Sequence, residues 1–321
     1  NADKAMQHSG ALNVLSDTQY WLHDNAIGLR HSGVSSQSVD GNIFHVSLSE
    51  APEKPLNIER FEFTVGDLRE ALFLICGNTT LDIMCQLNQL SDLIDAQDGS
   101  DKIHDLAKGW FFNHHNTDQE RTAVALISRN KDEICKQINY VKSHIDATPE
   151  CTIGANDIKL PQSFLRDRVF YQPQSLKADD TQEGKVAFVY PGSGNQYPLM
   201  GCELFTIWPE ILKEQQLENR YLCSQYQPEV FWNQHLWKNI DAANETQKNY
   251  KAMIFGQVAL GTAVTDLVVR FDVNPDAVIG YSLGETAGLF STRTWRDRDE
   301  MLTRMNASTL FTHDLAGDFN A

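Results

Sequence analysis

The sequence is poor in basic residues and in cysteine pairs, and each shortage excludes a class of protein. Its 27 Lys and Arg residues are outnumbered by 43 Asp and Glu residues, which gives a formal net charge of −16. Nucleic-acid binding needs a basic face, so no nucleic-acid partner is expected. The six cysteines form no C-x-x-C pair and several lie on predicted core faces. A reduced, cytoplasmic setting therefore fits better than a disulfide framework.

Membrane and metal signals are missing as well. The sequence shows no signal peptide and no apolar run that we judge long enough to span a bilayer. Its ten histidines include no H-E-x-x-H motif or other ligand spacing. We therefore expect no membrane span and no metal. With 321 residues, 41% of them hydrophobic, the chain can bury two modest cores besides an incomplete tail.

One turn motif is the most informative feature that is present. Residues 276–279 predict a short buried strand, Gly280 to Glu285 reads G-Y-S-L-G-E, and an apolar run follows at 286–290. A strand, a G-x-S-x-G turn and a helix make a nucleophile elbow, in which Ser282 stands on a tight bend at a helix N-terminus. Glycines flank it because a Cβ would clash there. The alternative is an ordinary Gly/Ser turn, but the placement of strand and helix favours the elbow.

A second segment offers backbone hydrogen-bond donors. The strand-like run at 185–190 breaks into a P-G-S-G-N-Q loop at 191–196, where Gly192 and Gly194 free the backbone to present N–H groups inward. The N–H of Gln196 is a candidate for one half of an oxyanion hole, and the N–H of Leu283 for the other half. Taken alone, the loop could equally be a simple β–α turn. We predict an α/β fold in which strands 186–190 and 276–280 are neighbours in a parallel sheet.

Together these segments resemble the malonyl/acyl-CoA:acyl-carrier-protein acyltransferase family of fatty acid and polyketide synthases. That family opens with a strand and a P-G-x-G-x-Q loop, continues with a Q-x-A-L helix, here at 257–260, and carries a G-H-S-x-G-E elbow. The resemblance implies an α/β-hydrolase-like parallel sheet and a Ser282 acyl-enzyme. It implies no bound cofactor, since CoA or phosphopantetheine arrives with the substrate. Acyl-CoA, acyl carrier protein domains and other synthase subunits are the implied partners.

The segments upstream resemble other parts of such a synthase. The sequences at 30–36, 40–46 and 50–52 are similar to the last strands of a ketosynthase, with its glycine-rich loop replaced. His45 falls on the catalytic histidine of that family, but no ketosynthase cysteine is present, so we predict a structural histidine. We predict three segments: a degenerate ketosynthase-like tail over 1–52, a small α/β linker domain over 53–184, and the incomplete N-terminal part of an acyltransferase over 185–321.

Periodic patterns predict the elements of the linker. Runs of apolar residues at 72–76 and 121–128 predict strands. Each is followed by a helix with an apolar stripe. The stripes consist of Leu81, Met84, Leu87, Leu90 and Ile94 in the first helix and Ile134, Ile138, Val141 and Ile145 in the second.

The region after the elbow bears on substrate choice. Family members that take dicarboxylic acyl groups hold the free carboxylate with an arginine, whose planar fork suits that task. An ungapped count from Ser282 places Ala307 at that position, and Arg304 could serve instead only after a one-turn slip. Tyr281 replaces the usual histidine beside the nucleophile, and Tyr250 stands where many members carry glutamine. We expect Tyr281, Tyr250 and Ala307, together with Gly192 and Gly194 of the loop, to line a substrate pocket. This pocket should prefer a plain acyl chain over malonyl.

The resemblance also implies an activating histidine later in sequence than this chain extends, so we expect a fragment without its base. His313, the only histidine after Ser282, is expected to be a surface or core residue. The combined features most resemble the acyltransferase subunit of bacterial omega-3 polyunsaturated fatty acid synthases. A serine thioesterase or hydrolase and a non-catalytic docking scaffold are the alternatives. We interpret the basic stretch at 293–298 as a solvated loop, with a contact to CoA phosphate or carrier protein as the alternative.

Overall fold

The computed structural model of the protein describes residues 18–51, 70–96, 102–114, 122–154, 164–174, 184–232 and 249–309. The chain divides into two compact units, one made of residues 67–185 and the other of residues 1–66 together with 186–321. The predicted ketosynthase-like tail therefore shares a unit with the residues predicted as acyltransferase. The smaller unit covers most of the residues predicted as linker.

The described strands and helices alternate along much of the chain. The strands are β1 (His31–Gln37), β2 (Ile43–Ser49), β3 (Ala71–Gly77), β4 (Thr122–Ser128), β5 (Val169–Gln172), β6 (Ala187–Tyr190) and β7 (Ala277–Gly280). The helices are α1 (Thr80–Ala96), α2 (Ile103–His114), α3 (Lys131–Ala147), α4 (Cys202–Ile207), α5 (Pro209–Glu218), α6 (Leu222–Tyr226), α7 (Pro228–Phe231), α8 (Tyr250–Arg270), α9 (Leu283–Ser291) and α10 (Arg298–Ala307). A short 3₁₀ helix, Asn25–Ile27, precedes β1.

The smaller unit is an antiparallel sheet covered by helices. Its strands lie in the order β3-β4-β5, and alternate residues of β3 and β4 are buried, as expected for a sheet with one face in the core. Trp110 of α2 is buried there and donates its indole N–H to the carbonyl of Leu74 at 2.9 Å. The strands predicted at 72–76 and 121–128 are confirmed.

The predicted apolar stripes agree with the structure in α3 and differ in α1. All four predicted residues of α3 are buried. In α1, Ile83 is buried while the predicted Leu81 is 80% exposed. Leu81 and Ile83 are two positions apart, and each position of an α-helix is rotated by about 100° from the last. Their side chains therefore point to opposite sides of the helix. Thr79 and Asp82 exchange hydrogen bonds at the N-terminus of α1, so Leu81 lies in the exposed first turn.

Two small sheets belong to the larger unit. β1 and β2 form an antiparallel hairpin that pairs His31 with Ser49 and Gln37 with Ile43, and its side chains are largely exposed on both faces. β6 and β7 pair in parallel, with Ala187 opposite Ala277 and Tyr190 opposite Gly280. The predicted parallel neighbours are thus confirmed.

Helix α8 is the central helix of the larger unit. It packs against α9, and Ala259 and Ala263 are buried within it. The Tyr190 hydroxyl at the end of β6 lies 2.7 Å from the Thr265 hydroxyl of α8, which ties strand to helix. Small residues on α8 therefore let the elbow helix and the strand approach closely.

Helix α8 also corrects one expectation. Over Tyr250–Arg270 it is long and apolar enough to cross a membrane by length and composition, which the sequence analysis overlooked. Core helices pass the same test, and Phe255, Val258 and Ala259 are buried against other parts of the unit. The apolar length of α8 is therefore only a weak indication of a membrane span.

Candidate active site

Ser282 stands on a strained turn between β7 and α9. Its backbone has φ 55° and ψ −116°, a conformation that residues with a Cβ rarely adopt. The turn is closed by hydrogen bonds from the N–H of Gly284 to Tyr281 at 2.9 Å and from the N–H of Glu285 to Ser282 at 3.0 Å. The serine side chain makes no capping bond at the start of α9. The strand, turn and helix of the predicted elbow are present, but the strand predicted to be buried is exposed at Ala277, Val278 and Ile279. The catalytic role of Ser282 stays a prediction.

Close backbone packing explains both glycines of the motif. A Cβ on Gly280 would stand 2.3 Å from the backbone nitrogen of Glu285. A Cβ on Gly284 would stand 2.1 Å from the carbonyl oxygen of Tyr190. Backbone atoms cannot rotate away as side chains do, so only glycine fits at either position. The sequence argument for glycine on both sides of Ser282 is confirmed.

The glycine-rich loop packs against the residue that precedes the serine. A Cβ on the buried Gly192 would stand 2.9 Å from the ring of Tyr281, and the N–H of Tyr281 bonds the carbonyl of Tyr190 at 3.2 Å. Gly194 has φ +93°, which favours glycine at the bend. Asn195 closes the loop by donating its side-chain amide to the carbonyl of Gly192 at 2.8 Å. The structure thus brings this predicted loop and the elbow together.

The two predicted oxyanion donors differ in their surroundings. Leu283 is the first residue of α9, where an N–H has no partner within its own helix. The N–H of Gln196 instead lies 2.9 Å from the Gln257 carboxamide oxygen, in the amide orientation that satisfies both residues, and the N–H of Asn195 lies 2.7 Å from it. Gln257 lies in the predicted Q-x-A-L helix, and no sequence pattern indicates this contact. Both donor roles stay predictions.

Tyr250 and Ala307 lie at helix ends that meet. Tyr250 begins α8 and Ala307 ends α10, and the neighbours of these two residues touch, with Lys251 Nζ 3.4 Å from Asn306 Oδ1. Lys251 therefore brings a cation next to the C-terminal end of α10. The sequence gave no sign of this contact, because 55 residues separate Lys251 from Asn306 in the chain. Ala307 is exposed.

Arg304, the alternative to Ala307, is engaged elsewhere. Its guanidinium is 79% exposed and bonds Glu300 one turn earlier on α10, at 2.6 and 2.9 Å. A carboxylate at i and an arginine at i+4 stabilise the helix that carries them. Arg304 therefore already has Glu300 as its ion-pair partner.

The basic stretch at 293–298 is less solvated than the sequence predicted. Arg293 pairs with Asp266 at 2.9 Å and with Glu218 at 3.1 Å. Arg298 is buried and donates to Gln215 and Asn219 at 3.1 and 3.2 Å. Burial lowers the pKa of the Arg298 guanidinium, a direction that the sequence gave no reason to expect. Arg296 alone among the three arginines of this stretch is exposed.

Two histidines were discussed from the sequence, His45 and His313, and the described residues include only His45. His45 is exposed on β2, and its Nδ1 lies 2.8 Å from the Ser35 hydroxyl across the hairpin. Its structural role stays a prediction, and His313 lies outside the described residues. In the parts of the chain that the structure describes, no cluster of three or more His, Cys, Asp or Glu side chains could hold a metal ion.

Comparisons with known proteins found polyketide synthases that are similar in sequence and a solved acyl transferase domain that is similar in fold. No family model matches the chain. It is 25% identical over 261 residues to a phenolphthiocerol/phthiocerol polyketide synthase of Mycobacterium tuberculosis, covering 80% of this chain and 10% of that protein. It is 24% identical over 285 residues to the spectinabilin polyketide synthase system protein NorA of Streptomyces orinoci, covering 87% of this chain and 13% of that protein.

The solved acyl transferase domain of ZmaA matches with a TM-score of 0.52 and 18% identity, covering 78% of this chain and 50% of that chain. This chain has the mixed α/β fold of an acyltransferase domain. It spans about a tenth of the length of the polyketide synthases and half of the ZmaA chain. Ser282 and the loop at 191–196 lie within this fold. A shared fold does not identify the acyl group that is transferred.

Proposed function

We propose that the protein is an acyltransferase that moves an acyl group from a thioester, carried by CoA or an acyl carrier protein, through a Ser282 acyl-enzyme. The observation that carries this proposal is the strained Ser282 turn, held between β7 and α9 with the glycine-rich loop packed on Tyr281. Strain at a non-glycine residue persists where the surrounding structure imposes it, and such sites are often functional.

The proposed reaction has two halves. The Ser282 oxygen attacks the thioester carbonyl, its proton passes to a base of the full-length protein, and the carbonyl electrons move onto oxygen. The N–H groups of Leu283 and Gln196 stabilise that oxyanion until it collapses and expels the donor thiol. The phosphopantetheine thiol of an acyl carrier protein then attacks the serine ester, and the same steps release Ser282.

The sequence relatives support a place in a large multidomain synthase. The chain is similar to polyketide synthases over most of its length. We assign it to a polyketide or polyunsaturated fatty acid type synthase in the cytoplasm, where acyl carrier protein domains and other synthase subunits are its partners. CoA and phosphopantetheine enter as parts of its substrates.

The test is acyl loading of the full-length protein. We expect a fluorophosphonate and an acyl-CoA to modify Ser282 in the wild type and not in Ser282→Ala, and we expect the loaded acyl group to move to a carrier-protein thiol. Release into water without thiol transfer would indicate a thioesterase. Absence of any modification at Ser282 would indicate a non-catalytic scaffold.

A further inference from the structure

Two consecutive backbone N–H groups of the glycine-rich loop converge on one side-chain oxygen. With its carboxamide turned so that oxygen faces the loop, Gln257 accepts from Asn195 at 2.7 Å and from Gln196 at 2.9 Å. Successive N–H groups that point at one spot form a concavity that binds anions. In this structure a neutral amide oxygen occupies that spot.

This contact conflicts with the role assigned to Gln196. A backbone N–H makes one well-aligned hydrogen bond, and its strength falls steeply when the angle is distorted. The N–H of Gln196 therefore cannot serve the Gln257 oxygen and a substrate oxyanion equally well. One acceptor has to give way to the other.

We propose that the Gln257 carboxamide is an exchangeable occupant of the oxyanion hole, a positioning residue that holds the loop N–H groups in place and yields to the oxyanion. This inference rests on the proposed acyltransferase function. Gln257 is half-buried, whereas Val258 and Ala259 beside it are fixed in the core of the unit. Its side chain can therefore turn away while α8 stays in place.

The exchange favours the transition state over the ground state. Hydrogen bonds to a charged acceptor are roughly twice as strong as those to a neutral one. A neutral substrate carbonyl gains little by displacing the Gln257 oxygen, whereas a developing oxyanion gains much more. The loop itself stays ordered, so only the Gln257 side chain has to move when charge develops.

Two substitutions of Gln257 separate this role from that of a permanent anchor for the loop. Gln257→Glu keeps an acceptor and gives it a negative charge, so the carboxylate competes with the oxyanion for the two N–H groups. Gln257→Met keeps the length of the side chain and removes the acceptor. If Gln257 yields to the oxyanion, Gln257→Glu should be impaired more strongly than Gln257→Met. If Gln257 is a permanent anchor, the order should be reversed.

The measurements are the rate of fluorophosphonate modification of Ser282 and the affinity for an acyl trifluoromethyl ketone, which forms an oxyanion on the serine. Both are made on the full-length protein at neutral pH. We expect each to fall about 100-fold in Gln257→Glu and by less than about tenfold in Gln257→Met, which loses only the positioning of the loop. Ser193→Asp places a similar charge on an exposed residue of the same loop, and should have little effect.

The outcomes are distinct. Wild-type reaction with Ser282, combined with wild-type behaviour of Gln257→Glu, would overturn the role of Gln257 and leave the acyltransferase proposal intact. Failure of the wild type to react at Ser282 would remove both proposals. If Gln257→Met does not fold, as judged by its thermal transition, the Gln257→Glu result alone decides, because that variant retains an acceptor for both N–H groups.

Discussion

The carbonyl oxygen of Tyr190 lies against the Cα of Gly284, where a Cβ would stand only 2.1 Å from it. This contact joins the end of β6 to the first turn of α9, backbone to backbone. The glycine-rich loop leaves β6 at this point and the elbow serine precedes α9 by one residue. The approach of these two elements therefore determines how close the loop and Ser282 can be.

Gly284→Ala should disrupt the elbow. The added methyl would overlap backbone atoms of Tyr190 and Pro191, which cannot move without shifting the strand, so we expect a loss of stability of about 1–3 kcal/mol or more. Gly261→Ala is the matched control, because its Cβ would lie 3.5 Å from Ala287 in ordinary contact. Alanine is the better helix former, so the control should be neutral or more stable. Urea unfolding of both variants gives the comparison; equal stability would contradict the close approach.

Patterns local in sequence predicted much of the architecture. The strands β3 and β4 and the buried face of α3 follow from apolar runs and stripes of a few residues. The parallel pairing of β6 with β7 was predicted because the loop and the elbow have to converge on one oxyanion. The strain at Ser282 also agrees with its motif, because G-x-S-x-G encodes the turn and the close backbone approach together.

Other contacts between distant segments were beyond sequence reasoning. The Gln257 oxygen meets the loop, and Lys251 meets Asn306, only after α8 has packed in the larger unit. Burial of Arg298 was also unexpected, because arginine is rarely buried without a carboxylate partner. Gln215 and Asn219 accept its N–H groups, and nothing in their spacing announces that arrangement.

Replacing Ser282 by glycine should stabilise the fold relative to alanine while neither variant forms an acyl-enzyme. Alanine retains the Cβ that is strained at φ 55°, and glycine does not. Strain of this kind costs about 1–3 kcal/mol, partly offset by the larger entropy of an unfolded glycine chain, so we expect Ser282→Gly to exceed Ser282→Ala by about 1 kcal/mol. Chemical unfolding of the two inactive variants measures the difference. A less stable glycine variant would show that the turn is not strained.

The hairpin of β1 and β2 should contribute stability that acid removes. Arg30 donates through its side chain to Glu50, and its N–H also donates to that carboxylate at 2.9 Å. The hydrogen bond from the Arg30 side chain is the main cause that lowers the pKa of Glu50 from 4.5 to about 2. The contribution is thus complete above about pH 4.5 and is lost as the pH falls towards 2.

The test of this acid dependence compares the wild type with Glu50→Gln. The Glu50 side chain is 25% exposed, so solvent screening should keep its contribution near 1 kcal/mol at neutral pH. The difference in unfolding free energy should shrink as the pH falls from 5 to about 2.5. Glu300→Gln on the exposed pair with Arg304 should cost less than about 0.5 kcal/mol. A difference that does not change with pH would show that the charge of Glu50 is not involved.

The full-length enzyme should prefer plain acyl thioesters over malonyl thioesters. Ala307 is the position to which the resemblance assigns an arginine, and a malonyl carboxylate bound there would lack the charge-assisted pair that an arginine provides. Because Ala307 is exposed, solvent screens the missing pair, and its loss is worth about 1 kcal/mol, which corresponds to a preference of about fivefold. Competition between malonyl-CoA and a medium-chain acyl-CoA for Ser282 measures it.

Two variants at the helix ends test the cause of this preference. Ala307→Arg should raise malonyl loading, since the exposed end of α10 has room for the longer side chain. Lys251→Met should leave the acyl preference unchanged, because Lys251 Nζ lies 3.4 Å from Asn306 Oδ1 and this hydrogen bond engages its charge at the helix ends. The competing possibility is that Lys251 replaces the arginine of the family. In that case the wild type would load malonyl readily, and Lys251→Met would lose malonyl loading while retaining the plain acyl group.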